Sequence, residues 1–249
     1  IPDIESGKKI FDLTDLDDES VSDLMSSYRY QQTEGKTEFL QHYLHKIVSI
    51  SVILKTENSL NVWSLGDKDS DEKELLKRFY EGIEKYTPTL VSWNGSGFDL
   101  PVIHYRSLFH GITSQRYWEN GDFDSTFRWN NYLSRFHSRH TDLMDVLSGY
   151  IMTARAPLNE VATILGLPGK MGMTGKKVWD YYLAGNIESI RNYCETDVLN
   201  TYLIYLRYLL IRGQLVNESY VFECNEVRNL LEKENKGHLK EFLEKWKVN

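Results

Sequence analysis

The sequence predicts an α/β domain, on three observations. Ile47-Val-Ser-Ile-Ser-Val-Ile-Leu54 is rich in β-branched residues, and a polar turn separates it from a second strand pattern, Leu60-Asn-Val-Trp-Ser-Leu65. Leu75, Leu76, Phe79 and Ile83 recur at helical spacing within 69–86, and Pro88 ends that helix before a third apolar run at Leu90. The segment 187–211 carries aliphatic and tyrosine side chains in a wide band over a long helix. The expected core order is strand, strand, helix, strand, with 47–54 and 60–65 paired as an antiparallel hairpin. One domain is expected over 1–249.

The remaining elements follow from local signals. Acidic residues in Asp15-Leu-Asp-Asp-Glu-Ser20 suit the start of a helix running to about Tyr30, and 31–36 reads as a polar loop. Thr89-Leu-Val-Ser-Trp93 is a strand broken by Asn-Gly-Ser-Gly, after which Asp99 opens a helix over 100–109 with Pro101 in its first turn and Gly111 at its end. Residues 117–140 are rich in aromatics and arginines without a clean period and read as a long surface excursion. Beyond Thr141-Asp-Leu-Met-Asp-Val-Leu147, a short helix over 158–165 is capped by Gly166, and 169–177 is a loop rich in glycine and lysine. Gly213 closes the long helix. Residues 214–249 read as a peripheral tail, with one amphipathic helix over 230–246.

Composition excludes several function classes. With 29 basic against 36 acidic residues the net charge is −7, which argues against coating duplex DNA through a broad basic surface but not against gripping one strand end. Cys194 and Cys224 are too few and too far apart for a disulfide framework or a zinc site, so a reducing compartment is expected. No apolar run spans a membrane and the amino terminus is acidic where a secretory signal is basic, so a cytoplasmic location is expected. The chain starts at Ile1 without an initiator methionine and reads as a fragment.

Two carboxylates stand in contexts that suggest chemistry. Asp99 lies at the carboxyl end of a strand, and Asp197 lies four residues beyond Tyr193, on one helix face with it. A phenol and a carboxylate aimed at a second carboxylate can bind a hard divalent cation and steer a water toward phosphorus. Asp99 also has a plainer reading as a helix cap, and Tyr193 and Asp197 as a half-buried tyrosine and a solvated acid. Asn94 and Gly95 are either turn residues or the place where a nucleotide backbone comes close. Lys170, Lys176 and Lys177 could touch a nucleic-acid backbone. His137, His140, Asp142 and Asp145 form a weaker candidate metal cluster beside Arg135 and Arg139.

The Phe-Asp-Leu-Pro segment around Asp99 and the Tyr193-x-x-x-Asp197 segment resemble the second and third motifs of the DEDD exonucleases, in their tyrosine-bearing (DEDDy) branch. Within that superfamily the chain is most similar to bacterial predicted 3'-5' exonucleases related to the exonuclease domain of family-B DNA polymerases, over residues 1 to about 214. The resemblance implies a ribonuclease H-like mixed sheet flanked by helices, two divalent cations (Mg²⁺ or Mn²⁺), and hydrolysis at the 3' end of single-stranded DNA or RNA. By the resemblance, Asp197 ligates one ion directly, Asp99 helps hold the second, and Tyr193 orients the attacking water. The family's first motif, an aspartate and a glutamate separated by one residue, falls ahead of Ile1 by this alignment; Asp3 and Glu5 have the right spelling but only two residues before them, and Asp12 fits worse. A chain lacking that pair would be a nucleic-acid-binding module of the same fold with an incomplete site. Tyr117, Trp118, Phe127 and Trp129 are candidates for stacking on terminal bases. A polymerase partner is not legible.

Overall fold

Two short β-ladders lie against one long helix in the computed structural model, which describes residues 1–247. The first is the expected hairpin: β1 (Ser51–Lys55) pairs antiparallel with β2 (Leu60–Ser64), Ile53 opposite Val62. The second joins β3 (Leu90–Ser92) to β4 (His140–Asp142) in parallel, Val91 opposite Thr141. No backbone pairing joins β1 to β3 among the described residues, so the α/β class stands with its strands in two ladders. The hairpin's first strand starts four residues later than the sequence suggests. The Ile47 amide explains part of that, because it donates to Glu72 Oε1 at 2.6 Å and is withdrawn from any ladder.

Helices fill the rest. α1 (Ile4–Phe11) carries no signal that the sequence reading detects; Asp3 caps it by accepting from the Ser6 amide at 3.3 Å. Asp17 caps α2 (Asp18–Gln32) and Asp71 caps α3 (Glu72–Tyr86). α4 (Asp99–His110) ends at Gly111, whose φ of 62° supplies the left-handed turn. The short α5 (Gln115–Trp118), α6 (Leu143–Leu147), α7 (Leu158–Ile164) and α8 (Val178–Leu183) lead to α9 (Ile187–Ile211). α10 (Asn217–Lys233) and α11 (Gly237–Lys245) complete the order.

The apolar band of α9 explains its length. Leu199, Tyr202, Leu203 and Leu206 meet Val62 of β2 together with Val227, Leu231, Leu239, Phe242 and Trp246. Residues 214–247 are therefore not a peripheral helix. They form two helices whose apolar side chains, Leu239 and Phe242 fully buried, close the core over α9. The charge-rich stretch reads as surface because only every third or fourth residue turns inward. A second core joins Leu75, Leu76, Phe79 and Ile83 of α3 to Leu100 and Ile103 of α4. Tyr117, Phe127 and Tyr132 complete it, so the aromatic segment 117–140 is in good part interior and not a surface excursion. Side chains bonded to main chain replace regular structure there: Asn131 Oδ1 accepts from the Leu133 and Ser134 amides, and Glu119 Oε1 from those of Gly121 and Phe123.

Glu195 ties the carboxyl-terminal helices to the hairpin. It is 3% exposed, accepts from the Ser64 amide and hydroxyl at 3.0 Å each, and pairs with Lys236 at 3.1 Å and His238 at 2.8 Å. Burial alone would raise its pKa, but His238 and Lys236 outweigh burial and bring it down to about 2. A carboxylate whose folded pKa lies below its unfolded value of about 4.3 stabilises the fold above that pH and loses the contribution as pH falls toward 2. Glu195→Gln is expected to lower the melting midpoint at pH 7, with the deficit shrinking between about pH 4 and pH 2, as followed by circular dichroism.

Candidate active site

β3, the turn after it and the first turns of α9 bring the candidate residues together. β3 ends at Ser92, and the chain then turns through Asn94, which adopts φ of 62°. Asp142, at the end of β4, holds this turn from behind: Oδ1 accepts from the Asn94 amide at 2.8 Å and Oδ2 from the Ser96 amide at 2.9 Å, while Oδ1 also caps α6 through the Met144 amide. A Cβ on Gly95 would collide with Ser92 Oγ, and Gly95 is buried, so the missing side chain there serves packing of the turn. From the opposite side His42 Nε2 donates to the Gly97 carbonyl at 2.8 Å, and the Phe98 ring packs against Phe39 and His45. The outcome is a rigid platform from which α4 departs at Asp99.

Asp99 does not cap α4. Phe98 occupies the cap position without a side-chain bond, and Asp99 is the first helical residue. It opens to solvent on one side, while protein encloses its carboxyl group on the others. That desolvation, with smaller contributions from the charges of Asp142 and Asp197, pushes its pKa up to about 6. Asp197 is half-buried and also pushed up to about 6 by burial, against the opposing influence of Tyr193 and of Lys170. Its Oδ1 is fully buried without a hydrogen-bond partner. The Tyr193 hydroxyl sits beside the same carboxylate, and burial followed by that negative charge raises its pKa, so the phenol stays a neutral donor at physiological pH. The charge of Asp197, nearly a hundred residues along the chain, thus reaches Asp99, and the phenol lies next to Asp197.

The donor set fits a hard divalent cation in kind. Two neighbouring carboxylates, one of them half-buried with an orphaned oxygen, are what a cation would relieve. In number the set is only part of a two-ion site, because no cluster of three or more His, Cys, Asp or Glu able to hold a metal occurs among the described residues. Asp3 and Glu5 do not supply the shortfall. Asp3 caps α1 and pairs with Arg106, and Glu5 is exposed.

The histidine cluster is committed to other partners. His140 Nε2 bonds Ser92 Oγ at 2.8 Å, His137 Nδ1 accepts from the Asn131 amide at 3.1 Å, and Asp145 pairs with Arg135 and Arg155. The Cys194 thiol is pushed up to about 12, chiefly by burial, which makes it inert packing. Of the four candidate stacking residues, Tyr117 and Phe127 are core, whereas Trp118 and Trp129 are exposed. Lys170 is exposed and close enough to act on Asp197; the Lys176 side chain lies outside the described residues. Sequence reasoning missed Asp142 as the support of the turn and Asn200, three residues beyond Asp197. Both had a signal: Asp142 directly precedes an apolar helical run, and Asn200 continues the i, i+4, i+7 stripe of Tyr193 and Asp197.

Comparison with known proteins identifies a family. The family described as predicted 3'-5' exonuclease related to the exonuclease domain of PolB matches residues 37–246. The catalytic subunit of DNA polymerase epsilon from Saccharomyces cerevisiae is 25% identical over 146 residues, which is 57% of this chain and 6% of that protein. A DNA polymerase of Archaeoglobus fulgidus is 26% identical over 137 residues, 54% of this chain and 17% of that protein. The chain therefore spans a small fraction of the curated relatives it matches. No helix among the described residues is long and apolar enough to cross a membrane.

Proposed function

The chain belongs to the predicted 3'-5' exonucleases related to the exonuclease domain of PolB, and we propose from that premise that the protein hydrolyses phosphodiester bonds at the 3' end of single-stranded DNA, or of RNA, with Mg²⁺ or Mn²⁺. The observation that carries this reading is the convergence of Asp99, Asp197 and Tyr193 on one space. Asp197 and Asp99 would hold the metal, and a divalent cation bound there supplies a lowered pKa for water and relief of charge on the leaving oxygen. Tyr193, kept protonated, donates to a water or a phosphate oxygen and fixes its orientation. Lys170 meets the phosphate at the Asp197 edge. The turn at Asn94 and Gly95 presents the strand end to Asp99, and Trp118 and Trp129 offer exposed faces for unpaired bases.

A second reading, a nucleic-acid-binding module with this fold and no turnover, is favoured by the count of carboxylates: two converge where a two-ion site needs more. One assay separates the two. A single-stranded oligonucleotide labelled at its 5' end is incubated with the full-length protein and Mn²⁺, and stepwise shortening is expected, abolished by a chelator or by a blocked 3' end. Binding without shortening establishes the module, and cleavage from the 5' end refutes the exonuclease. Matched DNA and RNA strands in competition then give the substrate.

A further inference from the structure

Asn200 is fully buried on α9 and spends its amide on one residue of another segment. Its Oδ1 accepts from the Gly169 amide at 3.2 Å, and its Nδ2 donates to the Gly169 carbonyl at 3.0 Å and to the Thr196 carbonyl at 3.0 Å. A side-chain amide paired with both backbone groups of one residue fixes that residue as a strand neighbour would. The next amide, Lys170, donates to Asn159 Oδ1 at 2.7 Å. Gly169 has φ of 62°, and a Cβ there would collide with the same Asn159 oxygen, so nothing larger than glycine fits between the two asparagines. This stretch lies in a glycine-rich loop, with Gly166 and Gly172 also at positive φ, yet two residues of it are clamped from α9 and α7. A buried amide is costly wherever its bonds are not made, and an apolar residue would fill this helix position without that liability. The clamp lies between Leu167 and Met171, which both pack against the core under α9. The residue it delivers, Lys170, is exposed and carries a cation.

We infer that Asn200 is a positioning residue: through Gly169, and with Asn159, it holds the Lys170 ammonium at the Asp197 edge of the site, where the phosphate of a nucleotide strand meets it. This rests on the nucleic-acid reading above, but not on turnover. Asn200 touches no substrate; it acts through the backbone of 169 and 170. Its own position is set by the helix that sets Asp197, one turn away, so cation and carboxylate are held from the same element.

The test is equilibrium binding of a fluorescent single-stranded oligothymidine to the full-length protein across a salt series, without divalent cations. Removing one phosphate-contacting cation lowers the slope of log K against log salt by about 0.7 for a single strand. Lys170→Ala is expected to show that loss. Asn200→Ala removes no charge and is expected to show it too, and the double variant is expected to match Lys170→Ala alone. Gly169→Ala, which leaves both asparagines in place, is the second route to the same displacement and serves where Asn200→Ala fails to fold. An unchanged slope in folded Asn200→Ala or Gly169→Ala overturns the inference, as does a double variant that adds the two effects. Wild-type protein that binds no single strand overturns the nucleic-acid reading itself, and wild-type protein that binds without shortening the strand leaves this inference standing.

Discussion

Replacing Asp197 by asparagine is expected to abolish divalent-dependent 3' release, by about a thousandfold or more, and at the same time to raise the melting midpoint of the metal-free protein. The first effect follows from the several kcal/mol that a bound cation supplies in phosphoryl chemistry, each ~1.4 kcal/mol being a factor of ten in rate. The second follows from the site's own strain. Burial holds the Asp197 carboxyl at about 6 in the fold, above its value of 3.8 when free, so the folded state binds that proton more tightly than the unfolded chain does. The stability this group contributes is full below about pH 4 and is lost as pH rises through 6. Asparagine mimics the protonated form and escapes the loss. The gain in midpoint is therefore expected above pH 6 and absent near pH 4. Unchanged turnover would remove Asp197 from the chemistry. A midpoint that falls at pH 8 would show that the carboxylate is satisfied and that its orphaned Oδ1 has a partner in solution. Adding Mn²⁺ to the wild type should close the stability gap at pH 8, because a ligand that binds only the folded state stabilises it by mass action.

This trade between stability and chemistry bears on what the sequence could show. Tyr193 and Asp197 were legible because helical spacing alone puts i and i+4 on one face, and α9 is long and regular. The hairpin and α3 were legible for the same kind of reason, since their periods are set by apolar contacts to one neighbouring surface. In the sequence Asp142 stands only within a weak histidine cluster, because its role is set by contacts across two ladders: it stabilises amides 48 and 46 residues away, and no local spacing encodes that. The segment 117–140 failed for a related reason. Its aromatics point inward at irregular intervals, held by side-chain bonds to main chain, so neither the helical nor the strand period is present to be read. The carboxyl-terminal helices were misjudged by composition, since Leu231, Leu239, Phe242 and Trp246 are few among charged neighbours and only their common target, α9, shows them to be core.

Arg106→Ala is expected to be the most destabilising single change outside the apolar core, and to disturb Asp99 without touching it. Arg106 sits two turns after Asp99 on α4, is 5% exposed, and its guanidinium bonds Glu72 Oε1 at 2.9 Å and Oε2 at 2.6 Å and also pairs with Asp3. Glu72 in turn accepts from the Ile47 amide at 2.6 Å and bonds His110 at 2.8 Å. One cation therefore joins the cap of α1, the start of α3, the approach to β1 and the middle of α4. Removing it leaves two carboxylates buried without their charge partner, a change that typically costs about 3–5 kcal/mol, whereas breaking the exposed pair of Arg78 with Glu74 on α3 should cost far less. Urea denaturation of the two variants side by side measures the contrast. Arg106→Met distinguishes charge from packing: it keeps the stem along the helix, and a loss as large as that of alanine assigns the cost to the unpaired Glu72 and Asp3. Because α4 is anchored at this end by Arg106 and at the other by the turn that Asp142 holds, loosening one anchor lets Asp99 swing on the other. At a protein concentration and temperature where Arg106→Ala remains folded, 3' release should fall by about tenfold or more, as for a catalytic group displaced by a fraction of an ångström. A folded Arg106→Ala with full activity would show that the Asp142 turn alone sets the direction of Asp99.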